Sequence, residues 1–532
     1  MNSFAGTGTL TRFALRRDRL RLTIWALALT GTTAATVPAL DQVFTSEADR
    51  AARAALMRTP TGVIFGGPGY GLEDYTLGPM VVNELLMSLL IALAVMNILG
   101  AVRHTRAEEE TGRAELLRAG VTGRRAAGTA AMVVAVVSNA IIGALTAAVL
   151  VGSGLPAADS IAIGAGILLT GLTFAALAAA CAQVVSHART AIGLGMVGLG
   201  VIFMIRVIGD IAEQGGSALS WASPMAWVFQ TRAYVDLRWW PLLLYVPAVL
   251  ALTAITSALA TRRDLGAGLV PPRAGRATAG RFLSGPLGLH LRLQRGSLIT
   301  WTVATVALGV AFGSLADQLA VFLEESPEMI QYIGADPTAL TDSFFAAMMQ
   351  YVAMLAGAAT ILSVLRLRAE ESAGRAEVVL ATATSRVRWM GGAMLTALLI
   401  AVVTMLAGGL SMGAAADAVL EDTSYTGVLT LSALNMVVVP VLFGAVAALC
   451  YGLDQRLLPL LWLWFVASIL ITIFGPILDL PAWSLNISAL EHPAFHPAEE
   501  SVITPLAIMG GAAIVAALGA LAAYRRRDLV TG

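Results

Sequence analysis

Arg106-Ala-Glu-Glu-Glu-Thr-Gly-Arg-Ala-Glu115 and Arg368-Ala-Glu-Glu-Ser-Ala-Gly-Arg-Ala-Glu377 are two versions of one charged stretch, set 262 positions apart in a chain of 532 residues. Each lies between long apolar runs, and each is followed by an arginine-containing turn, Thr122-Gly-Arg-Arg125 and Thr384-Ser-Arg386. An internal repeat decides the architecture before any other signal does. This period is far too long for a solenoid, so one period is half of the protein.

The composition says in which solvent the halves fold. The chain is 57% hydrophobic and 13% charged, with a mean hydropathy of +0.78. A soluble domain carries about a quarter charged residues, so the class is integral membrane protein. A spanning helix needs ~20 mostly apolar residues. The first half offers six such runs, near 22–43, 80–102, 127–151, 160–185, 190–210 and 240–260. The second half offers six more, near 297–320, 343–365, 389–413, 428–451, 457–478 and 502–524. The expected fold is all-α, with about twelve transmembrane helices in two tandem six-helix halves. The expected divisions are 1–265, a cytoplasmic linker at 266–284 and 285–532.

Residues 8–21 alternate arginines with Leu and Phe, and could pass for the basic flank of a secretory signal. The repeat argues otherwise. Leu291-Arg-Leu-Gln-Arg295 and Trp301 reproduce Leu15-Arg-Arg-Asp-Arg19 and Trp25 deep inside the chain. The expectation is a retained first helix behind an amphipathic interfacial helix. The spacing between the halves shrinks by about 14 residues across the first loop, so 44–79 carries extra sequence. The halves also end alike, in Arg262-Arg-Asp-Leu265 and Arg526-Arg-Asp-Leu529, with a Pro/Gly/Arg-rich linker between them. Cys181 and Cys450 occupy matching small-residue contexts, which reads as packing and not as a disulfide or a metal pair.

Twelve spans put both termini on one side. That side holds 28 of the 34 arginines and the other holds five, with Arg206 inside a helix. The positive-inside bias places the termini and both charged repeats in the cytoplasm.

In a helix, Glu109 and Arg113 form an i,i+4 pair, as do Glu371 and Arg375. Arg106 with Arg113, and Glu108 with Glu115, share a face, while Gly112 and Gly374 thin it where a partner could approach. One such segment reads as a solvated loop. Two matching in type and position favour a common binding task. The chain contains no lysine, so it has no P-loop and no means to hold ATP phosphates in that way. Gly66-Gly-Pro-Gly-Tyr-Gly71 opens no helix and reads as a loop. No catalytic residue is assigned, nor any nucleic-acid partner. His492 and His496, near Glu499 and Glu500, are separated by prolines that break a ligand face, so no metal site is assigned.

Polar or adaptable side chains inside spans are the candidates for a substrate path: Asn83, Glu84, Phe203 and Arg206 in the first half. Arg206 with Asp210 reads equally as a pair snorkelling to the interface. In the second half the candidates are Phe344, Met348, Met349, Tyr351, Trp462 and Phe465, whose bulk suits varied apolar ligands.

Arg-x-Glu-Glu-x-x-Gly-Arg-x-Glu between the second and third helices, with the following arginine turn and the Arg-Arg-Asp-Leu ending, resembles the coupling helix and ending of ABC-2 type permeases. Trp221-Ala-Ser-Pro224 and Arg238-Trp-Trp-Pro-Leu242 make the double-length chain similar to actinobacterial exporters of polyketide antibiotics. The resemblance implies a multi-pass permease of the inner (plasma) membrane of a high-GC bacterium, exporting hydrophobic small molecules. It implies a separate ABC ATPase subunit, two copies per chain, which carries the ATP and Mg and docks at Arg106, Glu108, Glu109, Gly112, Arg113 and Glu115, and at Arg368, Glu370, Glu371, Gly374, Arg375 and Glu377. It also implies a central path between helices two, five, eight and eleven. The repeats differ at Glu110/Ser372 and Arg118/Leu380, so the two docking sites need not be equivalent. The alternative is an ion-driven twelve-helix secondary transporter, against which the scarcity of mid-span acids argues. A lipid-modifying enzyme would need clustered ligands or acid–base groups, and only 491–500 approaches that.

Overall fold

The computed structural model describes residues 3–115, 120, 122–264, 266–271, 278, 280–283, 285–316, 337–420, 424–474 and 481–528. Among the described residues, twelve helices are long and apolar enough to cross a bilayer. In the first half they are α1 Thr7–Val43, α2 Leu77–Glu110, α3 Ala126–Gly152, α4 Ala157–Val184, α5 Ala188–Ala212 and α6 Trp240–Thr261. The second half has α7 Pro286–Gly313, α8 Ala339–Ser372, α9 Arg386–Asp417, α10 Thr426–Leu453, α11 Gln455–Ile473 and α12 Ile503–Arg526. Among the described residues there is no strand. The protein is an all-α, multi-pass membrane protein. It divides into two compact units, Met1–Ala274 and Gly275–Gly532.

All twelve expected spans are present, but the amphipathic start is not a separate helix. From Thr9 to Thr30 no Gly or Pro interrupts helix propensity, so the arginine-rich turns run unbroken into the apolar ones. Thirty-seven residues make α1 about 55 Å long. The hydrocarbon layer is ~30 Å thick, so the basic turns stand outside it. The counterpart α7 likewise begins at Pro286, with proline at a first-turn position where its missing N–H costs nothing.

The two units share one pairing scheme. In each, the first helix packs on the third, the second on the fourth, the third on the fourth, and the fourth on the sixth. The fourth helix is therefore the hub, which explains its alanine-rich end. Small residues beside Phe174 and Phe443, both fully buried, let three neighbours approach. Cys181 and Cys450 belong to these runs and are unpaired thiols.

Between spans the lipid supplies no hydrophobic drive, so backbone proximity and buried polar pairs hold helices together. A Cβ on Gly143 would stand 2.3 Å from the Gly164 carbonyl oxygen, and one on Gly313 would stand 2.2 Å from that of Met412. Asn97 and Asn139 exchange two buried amide hydrogen bonds of 2.9 and 2.8 Å, joining α2 to α3. The start of the linker is fixed too: Leu269 and Val270 donate to the carbonyls of Gln183 and Val184, 3.3 and 2.9 Å away, at the end of α4. Such bonds satisfy the orphan acceptors of a helix end.

The extra sequence of the first half forms two short helices, Glu47–Arg58 and Pro60–Gly66. The first opens with a reciprocal capping box of Ser46 and Asp49. Residues 317–336 of the second half lie outside the described residues.

Gly164→Ala puts a methyl 2.5 Å from the Gly143 carbonyl, whereas Gly152→Ala meets nothing within 4 Å. The first should lower stability by about 1–3 kcal/mol, as overpacking does. The second should leave the unfolding midpoint unchanged, both read by thermal unfolding in detergent.

Candidate functional site

The repeated charged stretches sit at the ends of α2 and α8, and each is closed by its glycine. Gly112 and Gly374 have φ of 72° and 70°, and their N–H groups donate to Glu109 and Glu371 carbonyls at 3.1 and 2.9 Å. This left-handed closure suits glycine and ends the helix. It also removes Arg113 and Arg375 from the positions an unbroken helix would give them. The expected Glu109–Arg113 and Glu371–Arg375 pairs are not formed, and the glycines serve the turn.

Glu109 instead takes a two-pronged contact from Arg263, with Oε1 and Oε2 accepting at 2.7 and 2.8 Å. Arg106 adds a third bond at 2.7 Å. In the second half Glu371 takes Arg527 at 2.7 Å and the Tyr451 hydroxyl. Arg263 and Arg527 are the second arginines of the two Arg-Arg-Asp-Leu endings. The two sequence repeats thus meet, and in each unit the acid of the charged stretch is latched to the residues just after the sixth helix. Arg106 also donates to the Ala182 carbonyl at 3.0 Å, and Arg527 to the Tyr451 carbonyl at 3.1 Å. Each places a cation on the electronegative end of the fourth helix. Arg527 further lies over the rings of Tyr451 and Tyr524, 4.7 and 5.4 Å from their centroids.

The surroundings of the latch differ. Arg106 is buried, while its counterpart Arg368 is exposed. Glu108 pairs with Arg17 of α1 at 2.6 Å, and Asp18 binds Arg103 and His104 at 2.9 and 3.0 Å. The corresponding positions of α7 are Leu293 and Gln294, and Gln294 donates to the Ser363 carbonyl at 3.3 Å. Glu370 pairs instead with Arg375 at 2.6 Å, a hydrogen bond that raises the Arg375 pKa. Glu110 accepts from the Ala188 N–H at 3.0 Å and faces His187, capping α5. Its counterpart Ser372 is free of that task because Asp454 caps the start of α11, accepting from Arg456 at 2.9 Å. Arg118 lies outside the described residues. Glu110, Arg113, Glu115, Arg368, Arg375 and Glu377 are the exposed charges of the two stretches.

The polar path candidates of the first half are committed elsewhere. Arg206 is fully buried; it donates to Asp210 at 2.8 Å and to the Val63 and Ile64 carbonyls at 2.6 and 2.9 Å. It does not snorkel: it ties α5 to the last turn of helix 60–66, over the ring of Phe203. Glu84 is held by Arg53 at 2.7 Å, and Asn83 donates to the Tyr70 carbonyl at 2.9 Å. Both lie in a π-turn, Val82–Leu86, within α2. These groups anchor the extra outer segment. In the second half Met349 and Phe465 are packed in the core, with Phe465 perpendicular to Phe443 at 5.0 Å. Phe344, Met348, Tyr351 and Trp462 are partly exposed. His492 approaches the Asn486 carbonyl and His496 the Ser432 hydroxyl, at 3.1 and 2.7 Å, so the two rings serve separate contacts.

Arg263 and Arg527 escaped assignment on the sequence because 154 and 156 residues separate them from their acids. The signal was available: both repeats keep nearly one offset in both halves.

Two like-paired sets of six bilayer-length helices, each with a charged stretch latched to its sixth helix, define a two-repeat polytopic membrane protein. The chain belongs to the family of the multidrug efflux system permease Rv1217c. It is 34% identical over 537 residues to the multidrug efflux system permease protein Rv1217c of Mycobacterium tuberculosis, covering 99% of this chain and 96% of that protein. Residues 283–525 match the family model described as multidrug efflux system permease Rv1217c, C-terminal domain.

Removing one partner of a buried pair strands the other charge at a cost of about 3–5 kcal/mol. Arg527→Ala should therefore destabilise strongly, since Glu371 is 1% exposed. Arg263→Ala should cost distinctly less, because Glu109 retains Arg106. Unfolding midpoints of the two variants, compared side by side, check the order.

Proposed function

We propose that this chain is the membrane-spanning part of an ATP-driven exporter of the ABC-2 type, with both halves fused. It moves hydrophobic small molecules, drugs or polyketide-like antibiotics, out of the cell. The multidrug efflux name of its relative supports that substrate class. The Arg-rich ends face the cytoplasm, where two copies of a separate ABC ATPase bind ATP and Mg and dock on the two charged stretches. The substrate path runs between α2, α5, α8 and α11.

The observation that carries this reading is the doubled latch. A partner pushing on the end of α2 or α8 moves a carboxylate already bonded to the end of the sixth helix and, through Arg106 or Arg527, to the end of the fourth. The stretch is thus wired to the hub of its own unit. This divides the labour among the residues. Arg113, Glu115, Arg368, Arg375 and Glu377 are exposed and offer docking contacts, while Glu109 and Glu371 face inward and transmit.

The division is testable by purifying the tagged protein from its native membrane. Arg113→Glu with Arg375→Glu should lose a co-purifying P-loop ATPase. Glu109→Gln with Glu371→Gln should keep it and lose at least ~10-fold of export, equivalent to about 1.4 kcal/mol of coupling. Export that persists with no ATPase present and follows an ion gradient would instead establish the secondary transporter.

A further inference from the structure

The first unit contains a cavity of about 820 Å³ at its Arg-rich end, between the ends of α3 and α6, with α4 as its back wall. That is the size of a ligand site. Its walls are apolar or weakly polar: Phe13 of α1, Ala130 of α3, Ala176 and Ala179 of α4, and Thr253 and Thr256 of α6. Its rim is cationic. Arg124 and Arg125 are exposed there, and among the described residues neither has a carboxylate within ion-pair distance. The other charges that line it, Arg17, Glu108, Glu109 and Arg263, already pair with one another.

The rim is built before any ligand arrives. The N–H groups of Gly123 and Arg125 donate to the Ala5 and Ser3 carbonyls, both at 2.9 Å, so the first residues of the chain hold the arginine turn in place. Arg124 reaches the Ala260 carbonyl at 3.4 Å, next to the end of α6. Phe4 and Phe13 stand at the cavity with 46% and 58% of their surfaces exposed. A mostly apolar slot with a two-arginine rim matches an amphiphile with an anionic head and an apolar tail.

We propose that this cavity binds an anionic phospholipid of the adjoining leaflet, its phosphate on Arg124 and Arg125 and an acyl chain along Thr253 and Ala130. The site is independent of the ATPase reading, and it places the lipid beside the Glu109–Arg263 latch, both residues of which line the cavity.

The test is thermal unfolding of the full chain in neutral detergent with added phosphatidylglycerol, phosphatidylcholine or inorganic phosphate. Ligand binding to the folded state raises the midpoint. Phosphatidylglycerol should raise it by ~3 °C or more, and the other two by less than a third of that. Arg124→Gln with Arg125→Gln should abolish the difference between the lipids without lowering the midpoint in phosphatidylcholine. Thr253→Trp, which fills the slot from an exposed position, should do the same. Equal responses to the two lipids, or a double variant that still distinguishes them, overturn the proposal. A full shift with inorganic phosphate alone overturns the lipid and leaves a simple anion site.

Discussion

A glutamate taken largely out of water must be paired, and that constraint organises both halves of this protein. Glu371 is almost wholly removed from solvent, and Arg527 with the Tyr451 hydroxyl satisfies it. Such a pair is poor evidence for stability, because the desolvation of two ions offsets most of their attraction. An apolar pair of equal volume would serve the fold as well. What the ionic pair adds is uniqueness: the charged stretch can close on only one place. Since that place is the end of the sixth helix, and the arginines also hold the last carbonyls of the fourth, three helix ends in each unit are tied together.

The identity of the partner could not be read from either motif alone. Hydropathy located all twelve spans because a backbone in lipid must satisfy its own hydrogen bonds, and helices of bilayer length are the way to do so. The side-chain pairing carries no such local mark. Glu109 with Arg113 looked like a pair on a helical template, and one glycine with positive φ was enough to cancel it. The true partner came from the other conspicuous repeat. Likewise Arg206 and Glu84 were legible as unusual, yet not as the anchors of the outer segment. Their partners are a carbonyl pair 142–143 residues distant and Arg53, in a short helix of the extra segment with no counterpart signal. The continuity of α1 was missed for a different reason. Amphipathic and apolar stretches invite separate labels, while the backbone sees only an uninterrupted run of helix formers.

The outer segment shows how divergence between the halves is accommodated. Its last turn leaves carbonyls that need donors, and Arg206 supplies them from α5 while Asp210 neutralises the guanidinium. Asp210 in turn accepts from Ser220 at 2.6 Å, so the whole group is closed on itself. A charge that the bilayer would otherwise penalise heavily is thereby turned into a rivet between a span and the structure beyond it.

The same logic separates the two charged stretches on the exporter reading. In the first unit Glu108 and Asp18 fasten the stretch and the end of α2 to α1, and Arg106 is buried against α4, so motion applied there must carry four helices at once. In the second unit the corresponding residues of α7 are uncharged, Arg368 is exposed, and Glu370 is spent on Arg375 within the stretch itself. Fewer ties leave that stretch bound chiefly through Glu371. A partner ATPase docking on both would meet a stiff lever on one side and a looser one on the other. A fused chain permits this asymmetry because each half occurs once. A permease assembled from two copies of one half would be held to equal levers.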